Sequence, residues 1–223
     1  MEREGISHAW VGHLPSAFEE HPAAGNTELL RALEPHRDVL SPAPAIRPDL
    51  PRWESALRDA VDAGAAAIRA YPPQWGFEPD SEPMRNLTIA CGENKLPLIL
   101  TVRFEDLRQR SALDTAGDLT GAAIRAIARA SDDARIIVSA AGRDLIQEVH
   151  WGLTPDEQSR VWWDISWIWG PPEDHLAKLF ATIGAGRFVF GSQWPLRLVQ
   201  SPKANLELLP PEFANATLGD PRA

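Results

Sequence analysis

The chain has a single cysteine, Cys91, among 223 residues, which excludes an internal disulfide framework and is typical of a reducing compartment. Basic residues are also few: 22 lysines and arginines face 31 aspartates and glutamates, and the formal net charge is −9. Because phosphate binding needs a basic face, this balance argues against a nucleic-acid partner.

No apolar run approaches the ~20 residues of a membrane span, and residues 1–5 lack the apolar core of a secretory signal. We therefore expect a soluble, cytoplasmic protein without a membrane partner.

Several motifs that mark common enzyme classes are also missing. The sequence contains no CxxC pair, no Gly-rich phosphate loop and no Ser-His-Asp order. Cys91 lies in an apolar helical run without a nearby histidine, which favours a structural thiol over a nucleophile. One tyrosine contrasts with nine tryptophans. Trp167 and Trp169, at the end of a predicted strand, fit either core packing or the wall of a pocket.

What the chain does have is an alternation of strand-like and helix-like segments with short connections, the pattern of βα units and a parallel sheet. Asn26 is predicted to cap one helix, and residues 51–63 form an amphipathic one. From about residue 202 the chain is rich in Pro, Asn and Asp, which predicts a loosely structured tail with one helical turn at most. We expect a single domain over residues 1–223. Seven strands are predicted, at 8–12, 40–46, 65–70, 96–102, 135–140, 161–168 and 188–190.

Seven strands are one fewer than a closed (β/α)8 barrel contains, and such a barrel typically needs about 250 residues. An open seven-stranded sheet would leave two unpaired edges, which proteins normally avoid. The first residues, 1–4, have the pattern of the end of a helix. We therefore predict an α/β fold of the TIM-barrel type that lacks its first βα unit in this chain, by truncation, a downstream start codon or true loss.

Two stretches resemble a known family. Residues 170–180 read GPPEDHLAKLF, and residues 187–195 read RFVFGSQWP. Together they resemble the last helix, the last strand and the Gly-Ser-Asp-x-Pro motif of the amidohydrolase-related barrels, the decarboxylase-like branch of the metal-dependent hydrolases. Residues 1–6 resemble the end of that family's first helix, and residues 215–219 resemble its closing helix more weakly. The resemblance spans nearly the whole chain and implies a divalent metal such as Zn²⁺, held by histidines and an aspartate.

The sequence departs from the ligand set that the resemblance implies. No His-x-His pair occurs in it. Thr101 and Ala140 stand where the family has histidines on its middle strands, and Gln193 stands where the family has an aspartate on its last strand. These side chains are poor ligands for Zn²⁺, and an amide cannot act as a general base at neutral pH. We therefore predict a degenerate metal site with neither a metal nor another cofactor.

In a barrel of this type, functional side chains follow the C-terminal ends of the strands. Arg103 and Glu105 follow the fourth strand, where Arg103 has the geometry to clamp a carboxylate or to form local ion pairs. Arg143 follows the fifth strand and fits substrate binding or a structural pair. Asp164 and Ser166 share one face of the sixth strand by period-two spacing, and Asp164 fits a structural role or that of a general base.

His13, just past the first strand, is a second candidate for moving protons, although a surface or capping role fits it equally well. The predicted catalytic residues are therefore Asp164 and His13. The predicted substrate-binding residues are Arg103, Glu105, Arg143, Ser166, Trp167 and Gln193.

These features predict an amidohydrolase-related barrel with an Arg- and Trp-lined pocket for a small molecule. If the protein is active, we expect metal-independent hydrolysis or lyase chemistry on a small organic acid. Two alternatives stay open. One is an inactive pseudoenzyme that serves as a binding or regulatory subunit, and the other is a metallohydrolase whose ligands have moved. A homo-oligomer is compatible with each of them.

Overall fold

The structure is a computed structural model that describes residues 2–106, 108–112 and 114–222. The two ends of the predicted domain, Met1 and Ala223, lie outside the described residues, as do Leu107 and Leu113. Seven strands are found in the described part of the chain, as the sequence predicts. They are β1 (Ala9–Val11), β2 (Leu40–Pro42), β3 (Ile68–Ala70), β4 (Leu98–Thr101), β5 (Ile136–Ser139), β6 (Val161–Asp164) and β7 (Phe188–Val189).

The strands form two parallel sheets that follow the order of the chain. β1 pairs with β2, and β3 to β7 pair in sequence. The register places Thr101 of β4 opposite Ser139 of β5, so these two strand ends lie side by side. A single parallel bridge from Ala45 to Arg69 connects the extended chain after β2 to β3. The result is a partial α/β barrel, as predicted, with an opening between β7 and β1.

Helices follow most of the strands, and among the described residues none is long and apolar enough to cross a membrane. Short 3-10 turns occur at Glu2–Glu4, Leu14–Ala17, Glu34–His36, Ala185–Arg187 and Pro211–Phe213. The helices are α1 (Ala23–Leu33), α2 (Trp53–Asp62), α3 (Pro72–Trp75), α4 (Glu82–Glu93), α5 (Gly121–Ala128), α6 (Arg143–Trp151), α7 (Pro155–Ser159), α8 (His175–Ile183) and α9 (Gln200–Glu207).

Both faces of the central strands are buried, which explains why they read as continuous apolar runs rather than alternating ones. On β4, Leu98 and Leu100 belong to the large core between the strands and the helices, whereas Ile99 points to the barrel interior. Ile137 and Trp162 extend that interior cluster on β5 and β6. The polar side chains at the strand ends therefore lie above an apolar barrel floor.

Asn26 does not cap α1. The residue before the helix is Pro22, and Asn26 lies within the first turns. Its amide Nδ2 donates to the Ala45 carbonyl at 2.7 Å, and its Oδ1 accepts from the Ala45 N–H at 2.9 Å. These two hydrogen bonds hold the extended segment in which Ala45 bridges to Arg69. The Asn26 side chain therefore bonds to the backbone of Ala45, distant in sequence, instead of capping the helix as the sequence pattern predicts.

The single helical turn predicted after residue 202 is also wrong, because α9 is a helix of eight residues. The Asn205 side chain on α9 donates to the Ile168 carbonyl at 2.7 Å, which ties the helix to the loop after β6. Further along, Arg135 Nη1 donates to the carbonyls of Pro221 and Arg222 at 3.3 and 3.0 Å. Packing against the barrel therefore orders a segment that composition alone marks as irregular.

The final residues close the barrel at the N-terminal ends of its strands. The Gly219 N–H donates to the Phe188 carbonyl at 2.7 Å, at the start of β7. A Cβ added to Gly219 would lie 2.2 Å from the Gly186 carbonyl oxygen and 2.7 Å from Trp162 Nε1. Beyond it, the Arg222 guanidinium lies 5.5 Å from the centre of the Trp10 ring on β1. The tail thus crosses from β7 to β1, with a glycine where backbone and ring leave no room.

Replacing Gly219 with alanine tests this closure. The added methyl has no space between Gly186 and Trp162, so we expect the free energy of unfolding in urea to fall by about 2 kcal/mol. Gly186→Ala is the matched control, because a Cβ there meets nothing within 4 Å and should change stability by less than about 0.5 kcal/mol. Equal stability of the two variants would show that the tail does not pack as described.

Candidate functional site

A cavity of about 1130 Å³ occupies the barrel interior and reaches the opening between β7 and β1. Apolar residues of the inner face, such as Ile99 and Ile137, form much of its wall. Thr101, Ser139 and Asp164 line it at the ends of β4, β5 and β6. The predicted location of a site, at the carboxyl ends of the strands, coincides with this cavity.

The Asp164 carboxylate is the most heavily bonded group of the cavity. Oδ2 accepts from Ser139 Oγ at 2.5 Å, and Oδ1 accepts from Ser166 Oγ at 2.6 Å. Oδ1 also accepts from the backbone N–H groups of Ala140 and Ser166, each at 3.2 Å. Only 6% of Asp164 is exposed, so these four donors compensate its removal from water. The structural role is the one these contacts favour among the two predicted for Asp164.

The contacts of Asp164 also correct the predicted position of Ser166. β6 ends at Asp164, so Ser166 does not share a strand face with it. Instead the chain turns back, and both the N–H and the hydroxyl of Ser166 reach the carboxylate two residues earlier. A side chain that accepts from the backbone two residues ahead forms an Asx-type turn. This local turn replaces the strand geometry that the apolar run 161–168 predicts.

Two neighbouring backbone positions depend on the same carboxylate. Ala140 has a φ of +62°, a conformation that is costly for a residue with a Cβ, and its N–H is held by Asp164. Gly191, after β7, approaches so closely that a Cβ would lie 2.6 Å from both Cβ and Oδ2 of Asp164. The glycine of the Gly-Ser-Gln-x-Pro stretch is therefore needed for contact with Asp164.

Gln193 links three loops at the mouth of the cavity. Its Oε1 accepts from Trp167 Nε1 in the loop after β6, and its Nε2 donates to the Arg103 carbonyl at 3.3 Å in the loop after β4. Gln193 itself follows β7 and lines the cavity. The Gln193 amide is thus hydrogen-bonded through both its oxygen and its nitrogen to the loops at the mouth.

The Arg103 guanidinium is partnered within the protein. Nη2 lies 2.7 Å from Asp118 Oδ2, and Cζ lies 5.5 Å from the centre of the Trp167 ring. Arg197 stacks on the same ring, with Cζ 3.8 Å from its centre. Burial lowers the pKa of Arg197, although the charges of Asp106 and Asp164 act in the opposite direction. Trp167 therefore contacts two cations, and Arg103 meets a carboxylate of its own chain where a substrate carboxylate was predicted.

Glu105 and Arg143 make local contacts. Glu105 Oε2 accepts from the Ser111 N–H at 3.0 Å, and Arg143 Nη2 lies 2.8 Å from Oδ1 of the adjacent Asp144. Neither residue is among the described residues that line the cavity. The structural pair that the sequence analysis left open for Arg143 is thus found with Asp144, and the predicted substrate contacts of Glu105 and Arg143 stay predictions.

The structure does not bring His13 together with Asp164. His13 Nδ1 lies 2.9 Å from Ser16 Oγ, and Nε2 lies 3.9 Å from Glu28 Oε2 on α1. Gly25 of α1 packs against this pair, since a Cβ there would lie 2.2 Å from both His13 Nδ1 and Ser16 Oγ. Within the described chain, His13 is also absent from the cavity wall. Its predicted catalytic role therefore finds no geometric partner in Asp164.

Arg69 is a cavity residue that was not among the predicted site residues. It lies in the middle of β3, lines the cavity, and has a buried Nε without a hydrogen-bond partner in the described part of the protein. The signal was present: in Ile68-Arg69-Ala70 the two flanking residues are fully buried against the outer core. Period-two alternation then places Arg69 on the inner face.

The described residues do not contain a group of three or more His, Cys, Asp or Glu side chains that could hold a metal ion. Thr101 and Asp164 line the cavity at strand ends, Ala140 follows β5, and Gln193 is bonded to its neighbours. The residues of this barrel mouth thus do not fit a divalent metal centre of the usual type, which takes several imidazole and carboxylate ligands. The absence of a cofactor stays a prediction.

Comparison with known proteins identifies structures of similar fold. Neither a protein-family model nor a curated protein matches this chain. A 2,6-dihydroxybenzoate decarboxylase from Rhizobium superposes with a TM-score of 0.67 at 13% identity, over 93% of this chain and 79% of that one. An amidohydrolase from Mycobacterium avium subsp. paratuberculosis gives a TM-score of 0.67 at 15% identity, over 99% of this chain and 70% of the other.

A third similar structure holds a metal. It is a 5-carboxyvanillate decarboxylase from Novosphingobium aromaticivorans with bound manganese, with a TM-score of 0.65 at 16% identity, over 92% of this chain and 72% of that chain. TIM-barrel proteins are among the similar structures. At these identities the likeness concerns the fold. It confirms the predicted α/β fold of the TIM-barrel type, which this chain shares with these decarboxylases and this amidohydrolase.

Removing the Asp164 carboxylate tests its structural role. Asp164→Ala leaves the Ser139, Ala140 and Ser166 donors buried without an acceptor, and we expect the free energy of unfolding in urea to fall by about 3 kcal/mol. Asp164→Asn keeps one oxygen and can donate to Ser139, so a loss of about 1 kcal/mol is expected. The control Asp144→Ala removes an exposed carboxylate and should cost less than about 0.5 kcal/mol. The structural role is wrong if Asp164→Ala is as stable as that control.

Proposed function

We propose that this barrel binds a small organic acid in its inner cavity and that it does so without a resident divalent metal. The observation that carries the proposal is the state of Asp164. Its carboxylate is the strand-end acid that lines the cavity at β6, and it already accepts four hydrogen bonds from Ser139, Ala140 and Ser166. A metal at this carboxylate would have to displace those donors.

The other strand ends support the same proposal. A manganese ion is bound in one structure of similar fold, and transition metals of this kind take imidazole and carboxylate ligands. Here Thr101 ends β4, Ala140 follows β5 and Gln193 follows β7. The Gln193 amide is already bonded to Trp167 and Arg103. The metallohydrolase with relocated ligands would need a new set of donors, and the described residues offer no such group.

Between residual catalysis and binding alone, the contacts favour binding. A general base needs a free acceptor aimed at the substrate, whereas the oxygens of Asp164 face donors of the protein itself. His13 contacts Ser16 and Glu28 rather than Asp164. The function best supported is therefore that of a barrel with a degenerate metal site that holds a small molecule, the inactive alternative among those the sequence leaves open.

Metal loading tests the first half of this proposal. The protein is incubated with Mn²⁺ or Zn²⁺, dialysed against buffer without chelator and analysed for metal content. We expect clearly substoichiometric metal, because the barrel mouth lacks a ligand set. Near-stoichiometric metal that survives dialysis in the wild type and is lost in Asp164→Asn would overturn the proposal and support a metal centre built on Asp164.

A turnover panel tests the second half. An ester, a lactone, an amide and an aromatic carboxylic acid are incubated with the wild type and with Asp164→Asn, and product formation is followed chromatographically. We expect neither protein to exceed the rate in buffer. Turnover by the wild type that is abolished in Asp164→Asn, with the variant still folded by circular dichroism, would instead establish metal-independent hydrolysis or lyase chemistry.

A further inference from the structure

The cavity contains one cation that the protein does not pair. Arg69 lines the cavity from the inner face of β3, and its Nε is buried without a hydrogen-bond partner. Among the residues that the structure describes, no ion pair and no hydrogen bond to the Arg69 side chain is found. A guanidinium is always charged and carries five donors. A buried donor such as this Nε is costly to leave without a partner, and an anionic ligand would supply one.

The rest of the chain makes this lack of a partner notable. Acidic residues outnumber basic ones by 31 to 22, and several arginines in the loops near the cavity mouth pair with carboxylates, whereas Arg197 stacks on Trp167. Asp118 alone pairs with both Arg103 and Arg110. Arg69 is surrounded by a different kind of neighbour, because its cavity is walled largely by apolar and aromatic side chains. The apolar and aromatic residues of this wall include Trp10, Tyr71, Ile99, Phe104, Ile137 and Val189.

The backbone around Arg69 is shaped to admit its side chain. A Cβ added to Gly12 would lie 2.7 Å from both Cδ and Nε of Arg69. Gly12 follows β1, which is two strands away from β3 across β2. The side chain therefore reaches across the inner face of β2 towards β1, the strand that borders the opening of the barrel, and a glycine there leaves room for it.

The chemistry of the surroundings restricts what this cation can bind. One guanidinium offers a planar pair of donors that matches one carboxylate. The aromatic and aliphatic wall favours an apolar body. A second negative charge on the same ligand would meet a wall that also carries the carboxylates of Asp164 and Asp220. The other arginine of the wall, Arg222, is paired with Asp220. The site therefore suits a singly charged acid.

We propose that Arg69 anchors the carboxylate of a small, singly charged organic acid whose apolar body lies against Trp10 and Tyr71. This rests on the proposed function, since it takes the barrel cavity to be the ligand site, and it adds the anchoring residue and the charge of the ligand. Arg103, which pairs with Asp118, is then a structural residue of the mouth rather than the substrate clamp.

Titration calorimetry with two acids and one neutral analogue tests the proposal. The probes are benzoate, cyclohexanecarboxylate and benzamide, and the proteins are wild type, Arg69→Gln and Arg58→Gln. Arg58 lies on the outer helix α2, where it donates to Ser55, so its substitution removes the same charge away from the cavity. We expect the wild type and Arg58→Gln to bind at least one of the acids. Arg69→Gln should bind it roughly tenfold more weakly or worse, because a charge-assisted hydrogen-bond pair is lost.

The neutral analogue and a second variant keep the result interpretable. Benzamide should bind more weakly than benzoate to the wild type and equally to the wild type and Arg69→Gln. Gly12→Ala keeps the charge but displaces the side chain, so it should weaken acid binding even if Arg69→Gln proves unstable. Equal affinity of the wild type and both variants for the acid would overturn the role of Arg69 alone. A wild type that binds neither acid would overturn the proposed function and this anchor with it.

Discussion

The arrangement of the cavity depends on one buried carboxylate, Asp164, which ties the ends of three strands together. β7 has only two residues and pairs along β6, so few backbone bonds fix its position. The contacts of Asp164 add to the few backbone hydrogen bonds between β6 and β7. Asp164 holds the chain after β5 through Ser139 and Ala140, it turns its own chain back at Ser166, and it packs directly against Gly191 after β7.

The bonds to Asp164 engage both oxygens of its carboxylate with donors of the protein itself. Donors that surround a carboxylate in a dry site stabilise it where it is, and a metal or a substrate proton must compete with all of them. Gln193 repeats this pattern, because its oxygen and its nitrogen both serve loop contacts, to Trp167 and Arg103. Asp164 and Gln193 thus brace the mouth of the barrel, and the apolar inner wall of the cavity lies below them.

The sequence predicts the architecture well because the signals for it are local. Apolar runs separated by helices with a 3.6-residue pattern are enough to predict seven strands in βα order, and the amphipathic helix predicted at 51–63 is found at Trp53–Asp62. The predictions that are wrong concern side chains or segments whose structure depends on a backbone group distant in sequence. Asn26 leaves its predicted cap for Ala45, and α9 is ordered in part by the contact of Asn205 with Ile168. Ser166 leaves the predicted strand because Asp164 offers a nearer acceptor.

In the candidate site, the local sequence also does not show which charged side chains are paired. Arg103 and Arg69 are both arginines placed by strands of one barrel, and nothing in their immediate sequence tells which one is free. Asp118, which neutralises Arg103, is fifteen residues further along the chain and reaches it only in the folded loop. No carboxylate reaches Arg69 in the described structure, since its side chain passes over Gly12 into an apolar space. Whether an arginine forms an internal ion pair or stays available to a ligand thus depends on which carboxylate side chains the fold brings close to it. In this barrel Arg69, which lines the cavity, is left without a carboxylate partner in the described structure.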